Sequence, residues 1–195
     1  MFDEERVIEQ AMDLFRQRGY EATSIRDLVA HVGVSSSSLY TTYGDKDAIF
    51  MLALERHSQI EKEMIRQQLA GSTNPRATIE RLFADLIEQL LNEELPHGSL
   101  TLKAAVELGV NKPRVTAFLH EYLNELVRLF SDFLEEAADS GRLHLPEPAP
   151  DVARYLLFAL FNLSFMAKVY PQRARLESYT RMVLHVLDGE AAGRS

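Results

Sequence analysis

The chain has 195 residues, 46% of them hydrophobic, no cysteine, and a formal net charge of −8. That length and apolar fraction suffice for one or two compact domains with a real core. The missing cysteines exclude disulfides, thiolate metal sites and cysteine redox sensing, and the acidic balance by itself does not point to nucleic acid.

Asp3, Glu4 and Glu5 favour a helix N-terminus, and Val7, Ile8, Ala11, Leu14 and Phe15 follow at helical spacing, predicting a helix to Arg18 that stops at Gly19. Ser24 is an N-cap type. Behind it Ile25, Leu28, Val29 and Val32 fall at i, i+3, i+4 and i+7, and Gly33 can end that helix in a left-handed conformation. Ser35 or Ser36 caps a third, very short helix that Leu39 and Tyr43 hold against the second. Gly44 ends it, and Asp45 caps a long helix to about Ala70, with Lys46 in its first turn. Asn74 and Pro75 open a helix to about Asn92, and residues 93–98, with Pro96, read as a loop. Ser99 caps a helix ending at Gly109. Asn111 caps another over 112–139, closed by Gly141. The proline-rich stretch 143–150 is a loop, Asp151 caps a helix to about Tyr170, and Pro171 breaks it. A last helix runs over 173–188 to a stop at Gly189, and 190–195 is an expected disordered tail. No segment alternates with period two, so the fold class is all-α with about nine helices.

The third helix is unusual. Its outward residues, Ser36, Ser37, Ser38, Tyr40, Thr41 and Thr42, are hydroxyl-bearing, and such a face can enter a DNA major groove. The plain alternative is a solvated surface helix. Residues 1–50 carry five basic groups (Arg6, Arg16, Arg18, Arg26, Lys46) against nine acidic ones. Phosphate contacts would therefore rest on few cations, helix N-termini and hydroxyls rather than on a basic field.

The run from Val7 to Leu52 resembles the N-terminal DNA-binding region of the TetR/AcrR family of bacterial repressors. The residues that carry the likeness are Ala11, Leu14, Phe15, Gly19, Tyr20, Thr23, Ser24, Ile25, Leu28, Val29, Gly33, Val34, Ser35, Leu39, Tyr40, Tyr43, Lys46 and Ile49, an ordered pattern over about a quarter of the chain. The resemblance implies a helix-turn-helix domain over 1–47 and an effector-binding and dimerisation domain over 48–190. It also implies a homodimer on a palindromic operator, released by a small organic effector. Ser35, Ser36, Ser37, Ser38, Thr41, Thr42 and Tyr43 would then meet DNA, Tyr40 and Lys46 would bind phosphates, and Ser24 and Arg26 would touch the flanking backbone. Many family members carry Gly near Ser37 and a bulkier residue near Thr41 and Thr42, so the base preference is not legible. The acidic N-terminal region keeps open an alternative, a helical interaction or adaptor protein that has lost DNA binding.

Residues 152–167 are apolar nearly all round, which predicts burial on two faces, one of them against a partner. With the last helix they would form an isologous four-helix interface through Tyr155, Phe158, Leu176, Tyr179, Met182, Val183 and Val186. Phe83, Ile87, Leu102, Phe118, Tyr122, Phe161, Asn162 and Phe165, with polar groups such as His97 and Glu107 nearby, are the candidates for an effector pocket. Aromatic residues at helical spacing are more often plain core, so that pocket follows from the resemblance alone. His120 and Glu121 begin like a zinc-protease motif without its second histidine, and neither a phosphate loop nor a nucleophile elbow is present. Neither an enzyme nor a cofactor nor a metal is expected. The most apolar run, Tyr155 to Val169, is short for a bilayer, and no basic leader precedes an apolar stretch, so a cytoplasmic protein without membrane contact is the expectation.

Overall fold

The computed structural model describes residues 3–92, 99–109 and 111–188, and among these it contains nine α-helices and no strand. The loop expected over 93–98, with His97, the stop at Gly189 and the tail from Glu190 lie outside the described residues.

Most helices begin where a side chain caps them. Asp3 accepts from the Arg6 N–H at 3.3 Å to start α1 (Glu4–Arg18). Ser24 and Asp27 close a reciprocal capping box at the head of α2 (Ile25–Val32). Ser35, rather than Ser36, caps α3 (Ser36–Tyr43), accepting from the Ser38 N–H at 3.1 Å. Asp45 accepts from the Ala48 N–H at 2.8 Å ahead of α4 (Lys46–Leu69). Asn74 caps α5 (Pro75–Leu91), Ser99 caps α6 (Leu100–Leu108), and α7 spans Pro113–Asp139.

The expected cap at Asp151 is corrected. Helix α8 (Ala149–Val169) begins three residues earlier, behind Pro148, because Pro150 is already set for the first helical turn. Asp151 sits inside that turn and takes the Arg154 guanidinium at 2.7 Å. Helix α9 ends at Leu184, sooner than expected, in a 3-10 turn over His185–Leu187.

The chain forms two compact units. The first holds the described residues within 1–63 and 97–122. Its core stacks Phe15, Phe50 and Tyr20, with Phe15 and Phe50 edge to face at 5.0 Å and Tyr20 and Phe50 at 4.9 Å. Leu28 and Leu39 seal it from α2 and α3, and Leu100, Ala104 and Leu108 of α6 complete it. Three short helices have too little surface to enclose such a core, so this unit extends past residue 47 and recruits α6 and the start of α7.

The second unit holds the described residues within 64–96 and 123–195, where α5, α8 and α9 pack on one another. Phe83, Phe130, Leu156, Leu163 and Leu176 are buried in it. Helix α8 is long and apolar enough to cross a membrane by length and composition. Val152, Leu156, Leu160 and Leu163 nevertheless form a buried face, while Tyr155, Phe158, Phe165 and Val169 stay exposed.

Candidate nucleic-acid interface

Two helices joined by a tight turn make the element. Gly33 ends α2 at φ 72° and ψ 21°, a left-handed turn that a Cβ disfavours, and Ser35 starts α3 two residues later. Leu39, 1% exposed, pins α3 to the core. The opposite face carries Ser36, Ser37, Thr41 and Thr42, all exposed, and Tyr40 at 50% exposure. No acidic or basic residue lies on α3.

Two members of the expected set are turned to structural work. The Ser38 hydroxyl lies 2.8 Å from that of Ser35, inside the cap. The Tyr43 hydroxyl donates to the Glu4 carbonyl at 3.4 Å, tying α3 back to α1. Burial pushes the Tyr43 phenol up, and the charges of Glu4 and Asp3 add to the effect.

At the head of α2, Asp27 accepts from the Ser24 N–H at 2.9 Å and from its hydroxyl at 2.5 Å, and pairs with Arg18 at 3.1 Å. The bonds from Ser24 hold the Asp27 carboxyl below its ordinary range. Helical geometry leaves the first-turn N–H groups of Ile25 and Arg26 without an intrahelical acceptor, which is the arrangement that favours a phosphate oxygen. The Arg26 side chain is exposed beside them.

The frame of this element comes from residues far along the chain. Glu107 on α6 accepts from the Tyr20 N–H at 2.8 Å and the Glu21 N–H at 3.4 Å. Lys103, one turn earlier, donates to the Arg16 carbonyl at 2.7 Å, at the negative end of α1. Lys112 donates to both Asp47 oxygens at 2.6 and 2.7 Å and to the Tyr20 hydroxyl at 2.8 Å, while that hydroxyl donates to Asp47. Lys46 places its ammonium 3.9 Å from the centre of the Tyr20 ring. None of Lys103, Glu107 or Lys112 carries a local sequence signal for this role. Their partners lie 65 to 92 residues away, beyond any periodicity.

A second polar cluster lies in the same unit. Glu61 on α4 accepts from the Tyr122 hydroxyl at 2.7 Å and the Thr101 hydroxyl at 2.9 Å, and His57 is 3.2 Å away. Burial acts to raise the Glu61 carboxyl, but the bonds and charge from His57 and the bond from Tyr122 outweigh it and hold it low. Burial and the Glu61 charge push the Tyr122 phenol far up.

A family model described as bacterial regulatory proteins, tetR family, matches residues 7–52. The HTH-type transcriptional regulator YezE of Bacillus subtilis (strain 168) is 28% identical over 96% of this chain and 97% of its own length. A cysteine mutant of the TetR family regulator CifR, solved with 26-bp double-strand operator DNA, superposes with a TM-score of 0.81 at 26% identity, covering 96% of this chain and 97% of that one. Residues 7–52 thus carry the N-terminal region of the TetR family, and the chain along its length resembles TetR family regulators. Reduced Escherichia coli NemR, 20% identical, shares the fold at a TM-score of 0.84 over 94% of this chain and 96% of its own. Like these proteins, the chain is a DNA-binding transcriptional regulator with an all-helical fold.

The residues expected to line an effector pocket divide between the two units: Leu102, Phe118 and Tyr122 fall in the first, and Phe83, Ile87, Phe161, Asn162 and Phe165 in the second. Phe83, Ile87 and Tyr122 are buried, whereas Asn162 and Phe165 are exposed. Among the residues expected at a subunit interface, Tyr155, Phe158 and Met182 are exposed, and Tyr179 and Val186 half-buried. Leu176 at 0% and Val183 at 3% exposure pack inside their own unit and have no surface to offer a partner.

Proposed function

We propose that this regulator is a cytoplasmic repressor that binds a palindromic operator as a homodimer and is released by a small organic effector. Residues 1–47 supply the groove-reading element, and 48–190 the effector-binding and dimerisation part. Ser36, Ser37, Thr41 and Thr42 approach base edges or phosphates. Tyr40, Lys46, Ser24 and Arg26 hold the backbone on either side, with Ser35, Ser38 and Tyr43 fixing the shape of α3.

The observation that carries the dimer is the exposed stripe of α8. Tyr155, Phe158, Asn162, Phe165 and Val169 are all exposed and are spaced alternately three and four residues apart. That is the spacing of a helix seam that pairs with another helix. An isologous pairing sets two copies of α3 on a two-fold axis, which a palindrome matches. The effector reading rests on the family resemblance. It needs only that the organic ligand bind more tightly to a dimer whose α3 helices are wrongly spaced.

Static light scattering on the full chain and titration of DNA flanking its own gene test the reading together. A dimer at micromolar concentration and salt-dependent binding to a palindrome are expected. A clean monomer refutes the seam, and absence of any salt-dependent binding to that DNA refutes the repressor in favour of a helical adaptor.

A further inference from the structure

Asp47 stands next to Lys46, the cation assigned above to a phosphate. Side chains at i and i+1 diverge from a helix, but here Tyr20 lies across both. Its ring sits 3.9 Å from the Lys46 ammonium, and its hydroxyl bonds Asp47. The hydrogen bonds from Lys112 and Tyr20 hold the Asp47 carboxyl low, and the charge of Lys46 contributes to the same shift. Lys46 is therefore within electrical reach of a carboxylate that competes with DNA for it. Lys112 fills that carboxylate on both oxygens, at 2.6 and 2.7 Å, and places its own ammonium 4.4 Å from the same Tyr20 ring. Two like charges over one ring repel each other, which weakens the hold of the ring on Lys46.

We propose that Lys112 is a positioning residue for DNA binding: by occupying Asp47 it leaves the neighbouring Lys46 ammonium available to a phosphate. Without Lys112 the Asp47 carboxylate loses its cation and recruits Lys46. The DNA then faces an internal ion pair instead of a free ammonium. Lys112 lies at the head of α7, 65 residues from Asp47, so a displacement of that helix end removes one phosphate contact from the DNA-binding element without moving α3. This inference rests on the assignment of Lys46 to a phosphate. The bridge is partly open, with 30% and 47% of the two side chains exposed, so its loss should cost the fold little.

The test uses the full chain and a duplex enriched by the wild type from a random library, with affinity followed over a salt series. Lys112→Gln is expected to weaken binding and to lower the slope of log affinity against log salt by about 0.9 for each DNA-binding element. Lys112→Arg, which keeps the bridge, is expected to bind as the wild type does. In a Lys46→Ala background, Lys112→Gln is expected to change neither affinity nor slope. Adding Asp47→Asn to Lys112→Gln is expected to restore the slope, since no carboxylate remains to capture Lys46. Thermal unfolding of each variant verifies that it is folded, and the Asp47→Asn/Lys112→Gln pair leaves no unpaired charge if the single variant fails to fold. The same loss in the Lys46→Ala background would show that Lys112 acts through its charge alone and would overturn the proposal. Failure of Asp47→Asn to restore the slope would overturn it as well. If the wild type enriches no duplex, the DNA-binding reading itself falls, and this inference with it.

Discussion

Single residues here act mainly by fixing where a few polar groups point. Gly19 combines φ 84° with ψ 173°, a region nearly confined to glycine, and a Cβ there would collide with the Glu107 carboxylate. Gly19→Ala should therefore cost about 1–3 kcal/mol in backbone strain alone. It should also loosen the bonds from Glu107 to the Tyr20 and Glu21 amides. A melting temperature no lower than that of Gly71→Ala, whose site has φ 65° and open space around it, would refute the collision. The sequence makes Gly19 legible as a helix stop, but not as a seat for α6. The stop is written in the neighbouring residues, whereas the contact depends on a carboxylate 88 positions later. For the same reason the hydroxyl face of α3 could be read in advance, and the distant lysine that occupies Asp47 beside Lys46 could not.

Helix α6 of the first unit is fixed toward both ends by charge-assisted bonds. It grips the end of α1 through Lys103 and Glu107, and its own first turn meets α4, where the Thr101 hydroxyl donates to Glu61. Because Glu61 is held below its ordinary range, its contribution to stability is complete above the unfolded carboxylate value near pH 4.3. It is lost as pH falls through the lower folded value. Tyr122→Phe removes one donor from that carboxylate, which should cost about 1.5–3 kcal/mol at neutral pH and move acid unfolding to higher pH. Circular dichroism along an acid titration reads the shift, and an unchanged midpoint would mean that Glu61 does not depend on Tyr122. Most helix starts were legible because caps are local chemistry. The exception at α8 is instructive: two prolines around Ala149 displaced the start from the better capping residue, Asp151.

At the scale of the molecule, the proposed dimer makes function depend on α8. Its sequence is apolar nearly all round, so the helix was legible but its two faces were not. Only packing against α5 and α9 separates the buried Leu156 and Leu163 from the exposed Tyr155 and Phe158. Phe158→Asp should place a charge in the middle of the seam without touching the core of its own unit, leaving the melting temperature of the monomer nearly intact while splitting the dimer. Light scattering should then report a monomer, and operator affinity should fall steeply because one α3 alone reads half a site. A Phe158→Asp dimer of unchanged affinity would place the subunit contact elsewhere. Asn162, midway along the same stripe, adds one polar point of the kind that fixes register in helix pairs.

The uncharged surface of α3 bears on how an operator is found as well as on how it is held. A regulator whose groove-reading helix carries no formal charge, on an N-terminal region of net negative charge, gains little from random sequence. On the proposed reading it should spend short times on each non-operator stretch and escape sequestration by the bulk of the chromosome. Its search should then proceed by brief collisions rather than long slides, leaving most copies in solution, ready for the one site that fits.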